Sequence, residues 1–116
     1  MRNIRIACAV IAALVVGSDA ALAASAENGK IVYVKHGCWQ CHGLLGQGSV
    51  ATSNGTVLAA SPLSFEIFAN FVRSANRAMP PYREEILSNA DLADIYAYLQ
   101  SIPKPPDANS IPLLKP

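Results

Sequence analysis

His36-Gly37-Cys38-Trp39-Gln40-Cys41-His42-Gly43 (HGCWQCHG, residues 36–43) holds both histidines of the chain and two of its three cysteines. Two thiols separated by two residues serve several chemistries. They can cycle as a redox disulfide, supply half of a zinc site, close a small structural bridge, or anchor a prosthetic group. Each use needs a different scaffold, so the reading of this stretch decides the fold, and the rest of the chain decides the reading.

The 116 residues suggest one small domain, preceded by a segment that does not belong to it. Met1-Arg2-Asn3-Ile4-Arg5 is basic, residues 6–16 are an unbroken apolar run, and Ala21-Leu22-Ala23 follows. That order is a secretory signal peptide, residues 1–23, cleaved near Ala23. The apolar run is shorter than the roughly 20 residues a membrane span needs, so no integral span is expected in the mature form. Cys8 lies inside the run and leaves with it. Loss of Arg2, Arg5 and Asp19 takes the formal net charge from +1 to zero. No polybasic tract is present, which makes nucleic acid and anionic membrane surfaces poor partners. Part of the 52% hydrophobic content belongs to the leader. A domain as small as the remainder usually needs a staple or a cofactor to complete its core.

No internal repeat is visible. Glu27 to about His36 reads as an amphipathic segment. Cys38 to Ala60, rich in glycine, serine and asparagine, reads as loop. A helix is expected over 62–75, with Ser61 as cap, Pro62 at the first position, and Leu63, Ile67 or Phe68, and Phe71 near a helical period. Met79-Pro80-Pro81-Tyr82 cannot be helix interior. Ser88 stands three residues before Asp91 in a capping-box pattern, and Leu92, Ile95, Tyr96, Leu99 and Ile102 then recur at helical spacing until Pro103. The proline-rich residues 104–116 are expected to be extended. No strand pattern appears, so the domain, residues 24–103, is expected to be all-α.

The absent strands count against a thioredoxin-like disulfide, which sits in a βαβ unit. Zinc needs four ligands, usually in two pairs, and no second pair follows. A Cys38–Cys41 bridge would close so small a loop that it removes little chain entropy, and it leaves His42 without a role. Cys38-Trp39-Gln40-Cys41-His42 is C-x-x-C-H, the attachment motif of c-type haem. Two thiols add to the two vinyl groups on one edge of the ring, and the next histidine reaches the iron from one face. The signal peptide supplies the extracytoplasmic context that this attachment needs.

The opposite face needs another ligand. His36 lies six residues before His42 on the same segment and cannot swing across the ring, so it reads as a bystander at a helix end. Met79 is the one methionine besides Met1. It lies 37 residues after His42, in a polar proline turn rather than on an apolar helix stripe. It is the better candidate, although a lone methionine is more often core filler.

With these pieces in place the domain resembles a class I c-type cytochrome over nearly all of its length. Gly29 and Tyr33 in NGKIVYVKHGCWQCH match the glycine and aromatic residue of that family's first helix. Ile95 and Tyr98 in DLADIYAYLQSI match the residues of its last helix that pack on them, and AMPPY matches its methionine loop. The pattern GQGS (46–49) with NGTVLAASPLSFEIFANFVRSANRAMPPY (54–82) is similar to small cytochromes that serve periplasmic dehydrogenases. One departure stands out. Where the family has Gly-Pro-x-Leu, whose proline carbonyl accepts the hydrogen bond of the axial histidine, this chain has Gly55-Thr56-Val57-Leu58. Thr56 keeps a carbonyl but not the stiffness of proline. Asn54-Gly55-Thr56 is also a glycosylation sequon, read here as an unmodified turn.

The resemblance implies three to four helices wrapped around one covalent haem c, with the first and last helices crossing. It implies an electron carrier rather than an enzyme, with His42 and Met79 as axial iron ligands. Expected around the cofactor are Thr56, Val57, Leu58, Phe68, Phe71, Pro80, Tyr82, Leu92 and Leu99, with Trp39 near its exposed edge. A periplasmic dehydrogenase is implied as electron donor, and an oxidase or another cytochrome as acceptor. The competing reading is a haem sensor or small haem enzyme with a labile Met79.

Overall fold

The computed structural model describes residues 23–49, 55–104 and 106–115. The signal-peptide reading of residues 1–22 and the sequon residue Asn54 lie outside them. Four helices follow in order: α1 (Ala26–Lys35), α2 (Trp39–His42), α3 (Phe65–Ser74) and α4 (Asn89–Ser101). No strand occurs among the described residues. None of these helices is long and apolar enough to cross a membrane.

Serines start the three longer helices by accepting from an amide in the first turn: Ser25 from Asn28, Ser64 from Ile67 and Ser88 from Asp91. The expected cap of α3, Ser61, is displaced by Ser64. Ser61 caps only Leu63, at 3.3 Å, and the Leu63 carbonyl is taken by the Tyr96 hydroxyl at 2.7 Å. The helix therefore begins at Phe65, and its inward stripe is Phe68 and Val72, while Ile67 faces solvent. For α4 the expected cap and the Leu92, Ile95, Leu99 stripe are found as read. Leu87, just before the cap, is buried beside Leu92 in the same core, the arrangement of a hydrophobic staple.

α1 crosses α4 at Gly29, where a Cβ would land on the Asp94 carbonyl. Only glycine allows this approach. Asp94 also receives the Ser25 amide at 2.6 Å and the Asn28 side chain at 2.7 Å, tying the start of α1 to α4. Beyond the crossing, fully buried Tyr33 packs on Tyr98 with ring centroids 5.6 Å apart.

All four tyrosines end on a backbone carbonyl. Tyr33 donates to Gly43, Tyr98 to Leu44, Tyr96 to Leu63 and Tyr82 to His36, at 2.7–2.9 Å. Each hydroxyl pins an irregular segment to a helix or to another loop. The 104–116 tail, expected extended, makes two single 3₁₀ turns at Ala108–Ser110 and Pro112–Leu114. Asp107 builds the first by accepting from Asn109 and Ser110, and Pro112 presets the second.

Candidate functional site

The stretch 38–42 was expected to be loop but is a helical turn, closed by the His42 amide donating to the Cys38 carbonyl at 3.0 Å. Positions i, i+3 and i+4 share one helix face. The turn therefore sends Cys38, Cys41 and His42 to one side, where all three line a single cavity. Trp39 and Gln40 fall on the outer side, and Trp39 is 40% exposed.

Apart from the tyrosine phenols, His42 is the only buried polar side chain among the described residues. Its Nδ1 lies 2.9 Å from the Thr56 carbonyl, which leaves Nε2 as the free coordinating nitrogen. This contact depends on how the two segments meet. Gly55 sits so close to the Cys41 carbonyl that a Cβ there would overlap it. The segments are then laced together: Ser49 to Gly55, Leu58 and Ala59 to Gly46, and Gly48 to His42, at 2.7–3.1 Å. Ala60 bonds to Leu99, fastening the assembly to α4.

The cavity measures about 900 Å³, near the upper end of small-molecule sites. It opens to solvent and is wide enough to admit a large planar group. Its walls are mostly apolar and include Leu58, Phe68, Phe71, Leu92 and Leu99. Met79, Pro80 and Tyr82 reach it from the loop after α3. Val57 does not; it is more than half exposed and packs toward Gly48. In an extended segment neighbours alternate sides, so with Leu58 turned inward Val57 turns out.

Several wall residues were not anticipated. Tyr33, Val72, Leu87 and Ile95 belong to the core and the cavity at once, and residues 74–78 form part of the rim. Leu87 carried a readable signal as the staple before Ser88. The rim residues carried none.

The thiols are free, and burial pushes Cys38 up to about 11. Redox-active pairs show the opposite shift, toward a stable thiolate. Two adjacent thiols, a histidine with one nitrogen bound to a carbonyl, a thioether and an apolar slot suit a covalently held, planar, metal-bearing ring. The residues present therefore fit a c-type haem.

A family model described as cytochrome c oxidase, cbb3-type, subunit III matches residues 24–99. No curated protein and no solved structure gives a match.

Proposed function

The chain belongs to this family of c-type cytochromes, whose function is haem-based electron transfer, and from that membership we propose that it is a periplasmic one-electron carrier with a single haem c. The observation that carries the reading is the one cavity onto which Cys38, Cys41, His42 and Met79 all open.

In this reading Cys38 and Cys41 would hold the ring covalently, and His42 and Met79 would hold its iron. The bound group supplies a reversible ferric–ferrous couple. The chain supplies its environment. The Thr56 carbonyl fixes the His42 tautomer and raises the basicity of its other nitrogen. Met79 as second axial ligand favours the reduced state and raises the potential. Phe68, Leu92 and Leu99 keep water from the ring and so lower the reorganisation that accompanies a change of charge. With His42 and Met79 both given to the iron, no position would remain for a substrate, which would suit a carrier and not an oxygen-activating enzyme.

A dehydrogenase is proposed as donor on the likeness of the 46–82 pattern. The family's description names an oxidase subunit, which fits an oxidase or another cytochrome as acceptor. Export through residues 1–23 is part of the proposal, and the intact mass of protein recovered from the periplasm checks it.

The deciding experiment records spectra of the oxidised and reduced protein and then adds carbon monoxide to the reduced form at neutral pH. The carrier should show the weak red-edge absorption of an iron–methionine bond when oxidised and should not bind carbon monoxide. Ready binding, with a high-spin spectrum, would establish a sensor or small haem enzyme instead. A colourless purified protein would return the cysteine pair to thiol–disulfide chemistry.

A further inference from the structure

Arg73 lies in the last turn of α3, beside buried Val72. Its guanidinium gathers three acceptors from the segment that follows Met79. Nη1 donates to the backbone carbonyls of Tyr82 and Leu87, both at 2.7 Å. Nη2 donates to the Asn89 side-chain oxygen at 2.8 Å, and Asn89 in turn donates to Glu84 at 2.7 Å. Tyr82 opens this segment, and Leu87 and Asn89 close it against α4. A further tie, the Tyr82 amide to the Val72 carbonyl at 3.0 Å, fastens the same point to α3.

Only Pro80 and Pro81 stand between Tyr82 and Met79. Each proline fixes its own φ and restricts the residue before it. Few soft torsions therefore separate the clamp from Met79, and holding Tyr82 holds Met79.

We infer that Arg73 is a positioning residue for Met79: by drawing the Tyr82 and Leu87 carbonyls onto one guanidinium, it keeps Met79 at the cavity and outside ligands away from the position Met79 takes. The inference rests on Met79 being an axial ligand, as proposed above. Positive charge alone does not suffice. A lysine ammonium is a point donor without the planar fork, so it cannot serve these three acceptors in the same arrangement.

A ligand that binds only when Met79 has moved away has an apparent affinity set by the fraction of molecules so opened. Weakening the clamp raises that fraction and tightens the ligand in proportion. The test titrates the ferric holoprotein with imidazole and follows the iron–methionine band. In parallel it measures hydrogen exchange at the Tyr82 amide. Arg73→Gln is expected to bind imidazole at least about tenfold more tightly than the parent, with Arg73→Lys between the two. Both variants should exchange the Tyr82 amide faster.

Asp94→Ala, which loosens the start of α1 from α4, controls for stability lost elsewhere and should stay within about twofold of the parent. An Arg73→Gln affinity within about twofold of the parent, or an equal rise in Asp94→Ala, overturns the inference. Met79→Ala separates the two layers. If it binds imidazole no better than the parent and the parent lacks the band, the methionine assignment falls and takes the clamp's role with it. If Met79→Ala binds more tightly while Arg73→Gln does not, only the clamp is refuted.

Discussion

His42 and Thr56 are 14 positions apart in the chain and 2.9 Å apart in space, and a residue with no side chain makes the contact possible. Gly55 passes over the Cys41 carbonyl so closely that any Cβ would overlap it. Gly55→Ala should therefore push the segment off, at a cost of about 1–3 kcal/mol for an overpacked site. It should also lengthen the His42–Thr56 contact. A histidine that loses its carbonyl partner becomes a weaker donor to a ferric centre, so the midpoint potential should rise. Potentiometric titration of the parent and Gly55→Ala checks this, and an unchanged or lower potential would count against the role given to Thr56. Proline at position 56 is thus not required for the bond. The carbonyl is placed by the Gly55 approach and by the surrounding backbone lacing, which do what a stiff residue would otherwise do.

The helices show the same reliance on close approach. α1 and α4 touch backbone to backbone at Gly29 and Asp94, with the tilted rings of Tyr33 and Tyr98 in contact beyond. Gly29→Val would force the helices apart and strain both the core and the cavity wall that Tyr33 and Ile95 share. A loss of about 3 kcal/mol is expected, the upper part of overpacking costs. In a domain of this size that lowers Tm by roughly 12–24 °C. Thermal unfolding followed by far-UV circular dichroism measures it, and a shift of only a few degrees would mean that the helices can part without harm. The short α2 is an element of another kind. Its four residues are too few to be stable alone, and it persists because its ends are tied: the Cys38 amide donates to the Tyr33 carbonyl at the start, and the Tyr33 hydroxyl holds the Gly43 carbonyl at the finish.

For the whole molecule, the hydroxyls of Tyr33, Tyr82 and Tyr98 make alkaline pH a probe of how the loops are fastened. Burial raises Tyr33, Tyr82 and Tyr98 above the ordinary value of 10.0. A phenol whose folded value is raised contributes its full stabilisation below pH 10 and loses it as the pH climbs toward the folded value. Stability should therefore be level near neutrality and fall above about pH 10, by up to ~1.4 kcal/mol per pH unit for each tyrosine involved. Tyr33→Phe should be less stable at neutral pH by about 1 kcal/mol, since it removes one of the two hydrogen bonds that the Gly43 carbonyl accepts, the other coming from the Gly46 amide, and its alkaline fall should be shallower. Urea unfolding between pH 8 and pH 11 checks both, and parallel slopes would contradict the assignment. Docking also belongs to this scale. The net charge of the domain after residue 23 is zero, and Pro80, Pro81 and Trp39 are exposed, so contact with a redox partner should be largely apolar. Pro81→Glu should slow reduction by the donor more than raised salt does. Equal sensitivity to both would point to electrostatic steering.

Much of the outline was legible in the chain itself. C-x-x-C-H marked a candidate haem anchor, and the lack of strands and of a second ligand pair narrowed the alternatives. The last helix announced itself by Ser88, Asp91 and a regular apolar stripe, and the all-α class followed from the lack of alternating patterns. These are local properties, set by residues within a turn or two of one another. The start of α3 was misplaced by three residues because two serines compete for one helix, and the outcome depends on Tyr96 of a distant helix taking the Leu63 carbonyl. Val57 was placed on the wall by its neighbours' motif, but the direction of a side chain in an extended segment depends on register against Gly46 and Gly48. Arg73 looked like an ordinary basic residue at a helix end. Its partners come from 9 to 16 positions later, and nothing in its own neighbourhood marks them. The sequence by itself determined which groups are candidates to bind and where the first and last helices lie, since those follow from short-range spacing and capping. The tertiary structure alone decided how the binding groups are held, because backbone carbonyls carry no residue signature and become partners only when the chain has folded.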